Sequence, residues 1–367
     1  PPLFWPPRCG GTWIAIGYDV AFRVLREPET FSSVLHGGEQ GAVPPMLPDG
    51  QRIPLMTPIM MDPPEHTVLR APLQKTFSPK TVLAMKDKIE ALAISLVEAV
   101  KPQGAADFVP AVTEALPVRI FLEMMGLPDD RIEQFRDMVR EVLAPRGGDP
   151  AAELFRMRRV ADAMEPTIRE RRDNPRDDLI SMLWSVEIEG QPMTFELMED
   201  YCCLLFIAGL DTVINGMTYG IRHLAQHPEL QAELRANPDL IVEATEELLR
   251  RYSFSGPVRR VTRETELAGQ KLLPGDQVFV YMGAVDLDPR EFPQPGSFDL
   301  SRENKNHLIF GAGPHRCLGS HLARVELQVV YRVVLERLPP FRMDPDRRPV
   351  FHPGNILSVS SLPLRWD

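Results

Sequence analysis

The stretch Phe310-Gly311-Ala312-Gly313-Pro314-His315-Arg316-Cys317-Leu318-Gly319, running into Ser320-His321-Leu322-Ala323-Arg324-Val325-Glu326-Leu327, decides how the chain is read. Its glycines let the backbone turn through positive φ and lie flat against something bulky. From Leu318 onward, apolar residues recur at Leu318, Leu322, Val325 and Val329, the spacing of one helical face. Cys317 therefore sits on a glycine-bent loop where a helix begins. Free N–H groups and partial positive charge at a helix start favour thiolate over thiol. A lone cysteine is more often a small buried hydrophobe, but this setting places Cys317 as an anionic sulfur ligand whose natural client is iron.

Two other readings compete. Gly311, Gly313 and Gly319 resemble a phosphate-cradling loop, yet no run of β-branched residues precedes them, and Pro314 and Cys317 break the spacing. His307, His315, Cys317 and His321 lie close together, and Cys/His sets bind zinc. A second Cys or His pair at finger spacing is missing, so zinc stays as an alternative.

The chain has 367 residues and no Gly/Ser linker, charge block or repeat, which predicts one large domain over 1–367, able to enclose a cofactor. A net charge of −10 argues against nucleic acid as a partner. Cys9, Cys202, Cys203 and Cys317 offer no disulfide framework, which fits a reducing cytoplasm. No apolar run is long enough for a membrane span, and the opening Pro1-Pro2-Leu3-Phe4-Trp5-Pro6-Pro7 is too short for a signal peptide. A start at Pro1 rather than Met leaves room for a native head upstream.

The pattern along the chain is mainly α with small β-sheets. A strand is predicted over Thr12 to Ile16 and a helix over Asp19 to Arg26. Regular structure then lapses from Phe31 to Met61, where many apolar side chains on a long loop suggest a lid over an apolar ligand. Helices follow from Asp62, where His66 and Arg70 share a face. More are predicted at about Thr81 to Val100, Ala111 to Met125, Asp129 to Leu143, Ala151 to Arg172 and Asp177 to Val186. The longest starts at Thr194 as N-cap and runs toward His227-Pro228, about 50 Å at about 1.5 Å per residue. Its centre holds Ala208-Gly209-Leu210-Asp211-Thr212. A buried Asp is costly, Ala208 and Gly209 leave room for a planar ligand or dioxygen, and Thr212 can bond the Ala208 carbonyl. Taken singly, helix packing and a satisfied polar pair would explain them. A helix from Glu243 to Arg251 carries Glu247 and Arg250. Strands are predicted at Val258 to Thr262, Glu266-Leu267 and Gln277 to Tyr281, and a final hairpin over Ile356 to Leu364.

With the Cys317 loop, the Ala-Gly-Leu-Asp-Thr helix, Glu247-Leu248-Leu249-Arg250 and His66/Arg70 in this order, the chain resembles the cytochromes P450 over essentially its full length. It is most similar to bacterial soluble members of the camphor-hydroxylase type, through Leu116-Pro117-Val118-Arg119-Ile120-Phe121, Gly209-Leu210-Asp211-Thr212 and Leu362-Pro363-Leu364-Arg365-Trp366-Asp367. The resemblance implies the P450 fold, with a long central helix over haem b. Cys317 would be the axial ligand of haem iron, Phe310 would lie beside the sulfur and Gly319 would permit close haem approach. Ala208 and Gly209 would border the haem. His66, Arg70, Arg259 and His315 would hold its propionates. Glu247, Arg250 and Arg302 would form the structural triad, and Asp211 and Thr212 would relay protons toward dioxygen.

The expected activity is hydroxylation of a small apolar, terpenoid-like substrate by a monomeric cytoplasmic enzyme. Its electrons would come from a separate acidic ferredoxin of the 2Fe–2S type, because the chain shows neither a flavin-binding domain nor iron–sulfur cysteine spacing. Arg70, Lys75, Arg302, Lys305, Arg316 and Arg324 would form the ferredoxin dock. Leu204, Ser255, Asn355 and Ile356 are expected pocket neighbours. Camphor itself fits poorly, because Pro54 stands where the look-alike has a substrate-binding tyrosine and the Phe31 to Met61 loop is longer. A peroxide-driven enzyme and a haem-binding protein without turnover are the remaining alternatives.

Overall fold

The structure is a computed structural model that describes all residues except 7–10, 36, 39–40, 144–149 and 355. It is organised by the helix Phe195–Gln226. Thr194, in extended conformation, opens that helix by accepting a hydrogen bond from the Leu197 N–H at 3.2 Å. The run Tyr201 to Phe206 is buried on every face, so this helix must be surrounded rather than laid on a surface. Helices Ala115–Met125, Pro150–Asp173, Ile241–Arg251 and Ser320–Arg337 surround it. Where it meets Ser320–Arg337 the backbones come close, because Tyr331 donates its hydroxyl to the Gly216 carbonyl at 2.9 Å and a Cβ at Gly220 would strike the same ring.

The main sheet packs a second, smaller core beside this bundle. Its strand order is Leu3–Phe4, Thr12–Ala15, Gln277–Val280, Val258–Val261 and Phe31–Ser32. Val278 lies opposite both Trp13, in parallel register, and Arg259, in antiparallel register. Arg259 is thereby set on an inner strand and buried.

Several elements differ from the sequence expectation. The helix predicted over Thr81 to Val100 is two, Pro79–Ala84 and Lys86–Val100, since Ser78 caps a short helix that ends at Met85. The one predicted from Ala111 begins as a π-helical turn, Val109–Thr113, where Thr113 reaches across to Thr218 at 2.7 Å. The helix Pro228–Ala236 had gone unread, although Pro228 at its first turn was its signal. The final hairpin is not one. Ser358–Ser361 pairs with Val350–His352, whereas Pro363–Trp366 pairs with Phe341–Met343 and Ala105–Asp107. Each apolar edge finds a different partner strand.

The segment from Phe292 to Phe310 is irregular and is held by charge. Arg250 places two nitrogens on Glu247 at 2.7 and 2.8 Å, and Arg302 adds Nε at 3.1 Å to the same carboxylate. Both guanidinium groups also donate to carbonyls of this segment, from Pro293, Pro295 and Ser297. Glu247 and Arg250 are completely buried. Removing one partner of a buried pair leaves the other charge uncompensated, at a cost of about 3–5 kcal/mol. Glu247→Leu, which leaves both guanidinium groups without their anion, is therefore expected to lower unfolding stability by about that amount in urea titrations; a loss below about 1 kcal/mol, the value of a surface pair, would refute it.

Candidate functional site

The Cys317 loop is shaped by its glycines. Gly311 and Gly313 both have φ of +69°, and a Cβ at Gly313 would strike the Leu25 carbonyl at 2.6 Å. These two positions require glycine. Gly319 does not: its φ is −78°, and a Cβ there would meet nothing within 4 Å. The turn closes through the Cys317 N–H, which donates to the Phe310 carbonyl at 2.7 Å. The helix starts at Ser320, three residues beyond the sulfur.

Cys317 is exposed yet closely surrounded by protein, as a group facing an interior space would be. Burial pushes its thiol pKa up, against the lowering effects of the Gly319 N–H, Arg70, Arg324 and Arg316. In the folded chain without a ligand at the sulfur, desolvation outweighs the positive groups around it.

The central helix opens on its inner side at one place. Ala208 is exposed and Gly209 and Thr212 are half-buried, while Leu204, Leu210 and Asp211 are buried. Thr212 donates its hydroxyl to the Ala208 carbonyl at 3.1 Å. Gly209 serves packing, since a Cβ there would lie 2.9 Å from the Phe121 ring; Ala208 is the residue that faces the opening. Asp211 accepts from Asn215 Nδ2 at 2.8 Å through Oδ1, and its Oδ2 has no partner. Asn215 in turn accepts from the Val359 N–H at 2.8 Å. With burial dominating and Asn215 opposing, the Asp211 pKa is raised to about 7. Asn215 had gone unremarked in the sequence, though it lies one turn from Asp211.

Four basic side chains from three parts of the chain meet nearby. His66 and Arg70 come from the helix Glu65–Gln74, Arg259 from the inner strand and His315 from the cysteine loop. The His66 and His315 rings lie 4.1 Å apart. Neither nitrogen of buried His66 has a partner, nor has His315 Nε2. Arg70 donates only to the Arg316 carbonyl at 2.5 Å, and Arg259 only to its neighbour Val258. The nearest carboxylate, Asp62, is taken up by Ser32 and Ser33. Burial and mutual repulsion lower the pKa of His66 to about 4 and of His315 to about 3, and burial lowers that of Arg259 to about 10. Two guanidinium groups and two imidazoles left uncharged, with N–H donors that the described residues leave largely unmatched, fit a ligand carrying carboxylates.

The pocket residues are partly brought together. Ser255 and Ile356 face each other in an antiparallel bridge, and Leu204 lies one turn before Ala208. Asn355 lies outside the described residues, as does Cys9. One expectation fails. Among the described residues no three His, Cys, Asp or Glu side chains gather to hold a metal, and His307 is engaged by Glu246 at 3.2 Å, which removes the zinc alternative. The basic dock is half consumed internally: Arg302 serves Glu247, Lys305 pairs with Glu243, and Arg324 binds Glu246 at 2.6 and 2.8 Å.

The comparisons with known proteins agree with this geometry. The family model described as Cytochrome P450 matches residues 134–363. The chain is 33% identical to the probable cytochrome P450 127A1 of Sinorhizobium fredii, over 100% of this chain and 87% of the relative. It is 30% identical to the cytochrome P450 monooxygenase PikC of Streptomyces venezuelae, over 98% of this chain and 86% of that one. Among solved structures, CYP109E1 from Bacillus megaterium in complex with testosterone superposes with a TM-score of 0.89 at 27% identity, covering 100% of this chain and 94% of that one. The chain belongs to the cytochrome P450 family, whose members are haem b monooxygenases. No helix among the described residues is long and apolar enough to cross a membrane.

The Asp211 carboxyl holds its proton more tightly in the folded chain than in the unfolded one. Its contribution to stability is full below the ordinary carboxylate range and is lost as pH rises from there to about 7. Asp211→Asn removes that dependence. It should raise Tm more at pH 8 than at pH 5; an equal change at both pH values would contradict the shift.

Proposed function

We propose that this chain is a ferredoxin-driven monooxygenase that hydroxylates a small apolar, terpenoid-like substrate, with Cys317 as the axial thiolate ligand of haem iron. The observation that carries the reading is the group His66, Arg70, Arg259 and His315, whose buried imidazole donors are unmatched, together with an exposed Cys317. In it those four side chains would hold the haem propionates, Phe310 would lie beside the sulfur, and Gly319 and Ala208 would leave room for the macrocycle. When bound, haem b supplies the iron at which dioxygen is activated, and a thiolate ligand favours cleavage of its O–O bond.

The protein's own work is positioning and proton transfer. Thr212, its hydroxyl anchored on the Ala208 carbonyl, stands at the opening of the central helix. Asp211, with a pKa near neutrality and one free oxygen, can both take up and release a proton there. Leu204, Ser255 and Ile356 form part of an apolar wall that orients the substrate and excludes water. The relative solved with testosterone binds a large apolar molecule, which supports an apolar substrate here. The buried Cys202 and Cys203 leave no cluster-binding spacing, which supports a separate electron donor. We read the chain as one P450 domain, monomeric and cytoplasmic.

Cys317→Ala should abolish the shifted Soret band of the reduced carbon monoxide adduct. Gly319→Val should leave the apoprotein's unfolding curve unchanged, since the side chain enters open space, while weakening haem uptake by roughly tenfold or more in titrations. Unimpaired haem uptake would displace the macrocycle from that position. Thr212→Ala should lower product formed per electron consumed by roughly tenfold, and unchanged coupling would remove Thr212 from the proton path.

A further inference from the structure

Three glutamates, Glu243, Glu246 and Glu247, share one face of the helix Ile241–Arg251 and hold the chain on either side of the cysteine loop. Glu247 is taken by Arg250 and Arg302, and Glu243 by Lys305. Glu246 has partners that lead to the loop itself. Its Oε1 accepts Arg324 Nε at 2.6 Å, its Oε2 accepts Arg324 Nη2 at 2.8 Å, and His307 Nε2 lies 3.2 Å from the same Oε2. This two-point grip fixes where the guanidinium can lie. Its carbon stands 4.4 Å from the centroid of the Phe310 ring, and the His307 ring lies 6.0 Å from that ring. Phe310 is tied to the sulfur-bearing residue in turn, because its carbonyl accepts the Cys317 N–H at 2.7 Å. Burial works to raise the Glu246 pKa, but the bonds from His307 and Arg324 outweigh it and hold the value at about 2. Arg324 therefore meets the loop already neutralised.

We propose that Glu246 is a positioning residue for the axial site: it seats Arg324 on Phe310 and cancels the charge that this guanidinium would otherwise present to Cys317, and in doing so it sets how readily the haem iron is reduced. This rests on the haem-site reading above, in which Cys317 is the axial ligand. The direction follows from electrostatics. Reduction adds one electron to the iron and its sulfur ligand, so a nearby positive charge favours the reduced state and a nearby negative charge opposes it. With both partners in place the two effects oppose each other. Only 23% of the Arg324 side chain and 17% of that of Glu246 are exposed, so salt and water screen them less than a surface pair. The loop has backbone anchors that do not involve Glu246: the Leu308 N–H donates to Asp286 and the Gly311 N–H to the Leu308 carbonyl, both at 2.7 Å. Removing the Glu246 charge therefore alters the field at the sulfur more than the course of the loop.

The test is the equilibrium between haem-loaded protein, free of substrate, and a one-electron redox dye of known potential. Glu246→Gln keeps the size of the side chain and should favour reduced iron by about tenfold, which is about 59 mV for one electron. Arg324→Gln leaves the carboxylate without its main cation and should shift the equilibrium in the opposite direction. The double variant should return to within about threefold of the wild type. A merely structural role would loosen the site in both single variants and move them the same way. Shifts of the same sign, or shifts below about twofold in both, overturn the proposal. If one single variant fails to take up haem, the sign of the shift in the other decides. A wild type without the shifted carbon monoxide band fails the haem reading and this proposal with it, whereas a normal band with unshifted equilibria fails this proposal alone.

Discussion

A helix buried along its length must find a neighbour for every face, and Phe195–Gln226 does so except near Ala208 and Thr212. The flanks of that opening are set by close contacts. Phe121 fills the place of a side chain at Gly209, and the Tyr331 hydroxyl fills that at Gly220. Both contacts draw neighbouring helices close on either side of the gap. The opening is thus built by packing, not by a break in the helix, and Thr212 donates its hydroxyl to the Ala208 carbonyl there.

The opposite side of the space is organised by electrostatics. Three separate elements bring His66, Arg70, Arg259 and His315 together, with donors that the described residues leave largely unmatched. Burial holds back the ionisation of the Cys317 thiol. A single ligand that carried carboxylates on its edge and a cation at its centre would satisfy both. Binding energy on this account comes partly from relieving what folding leaves unsatisfied.

Much of this was legible in the sequence, for identifiable reasons. Thr194 at the helix start, glycines at the two positive-φ positions, and Glu247 three residues before Arg250 each act locally or through fixed spacing. The His66 and Arg70 pair was legible only through resemblance to a family, because nothing in a helix surface pattern separates it from a solvated face. The pairing of Arg324 with Glu246 was not legible at all: the two meet across 78 positions by tertiary folding, and no periodicity marks it. Desolvation of the thiol by distant residues and the approach of Phe121 to Gly209 likewise leave no mark in sequence spacing.

The pairing of Arg324 and His307 with Glu246, and of Lys305 with Glu243, neutralises much of the basic character read near the cysteine loop. Lys75 and Arg316 remain exposed in that region. A protein approaching this side would therefore meet less long-range attraction than the number of basic residues suggests, and its association would depend less on ionic strength.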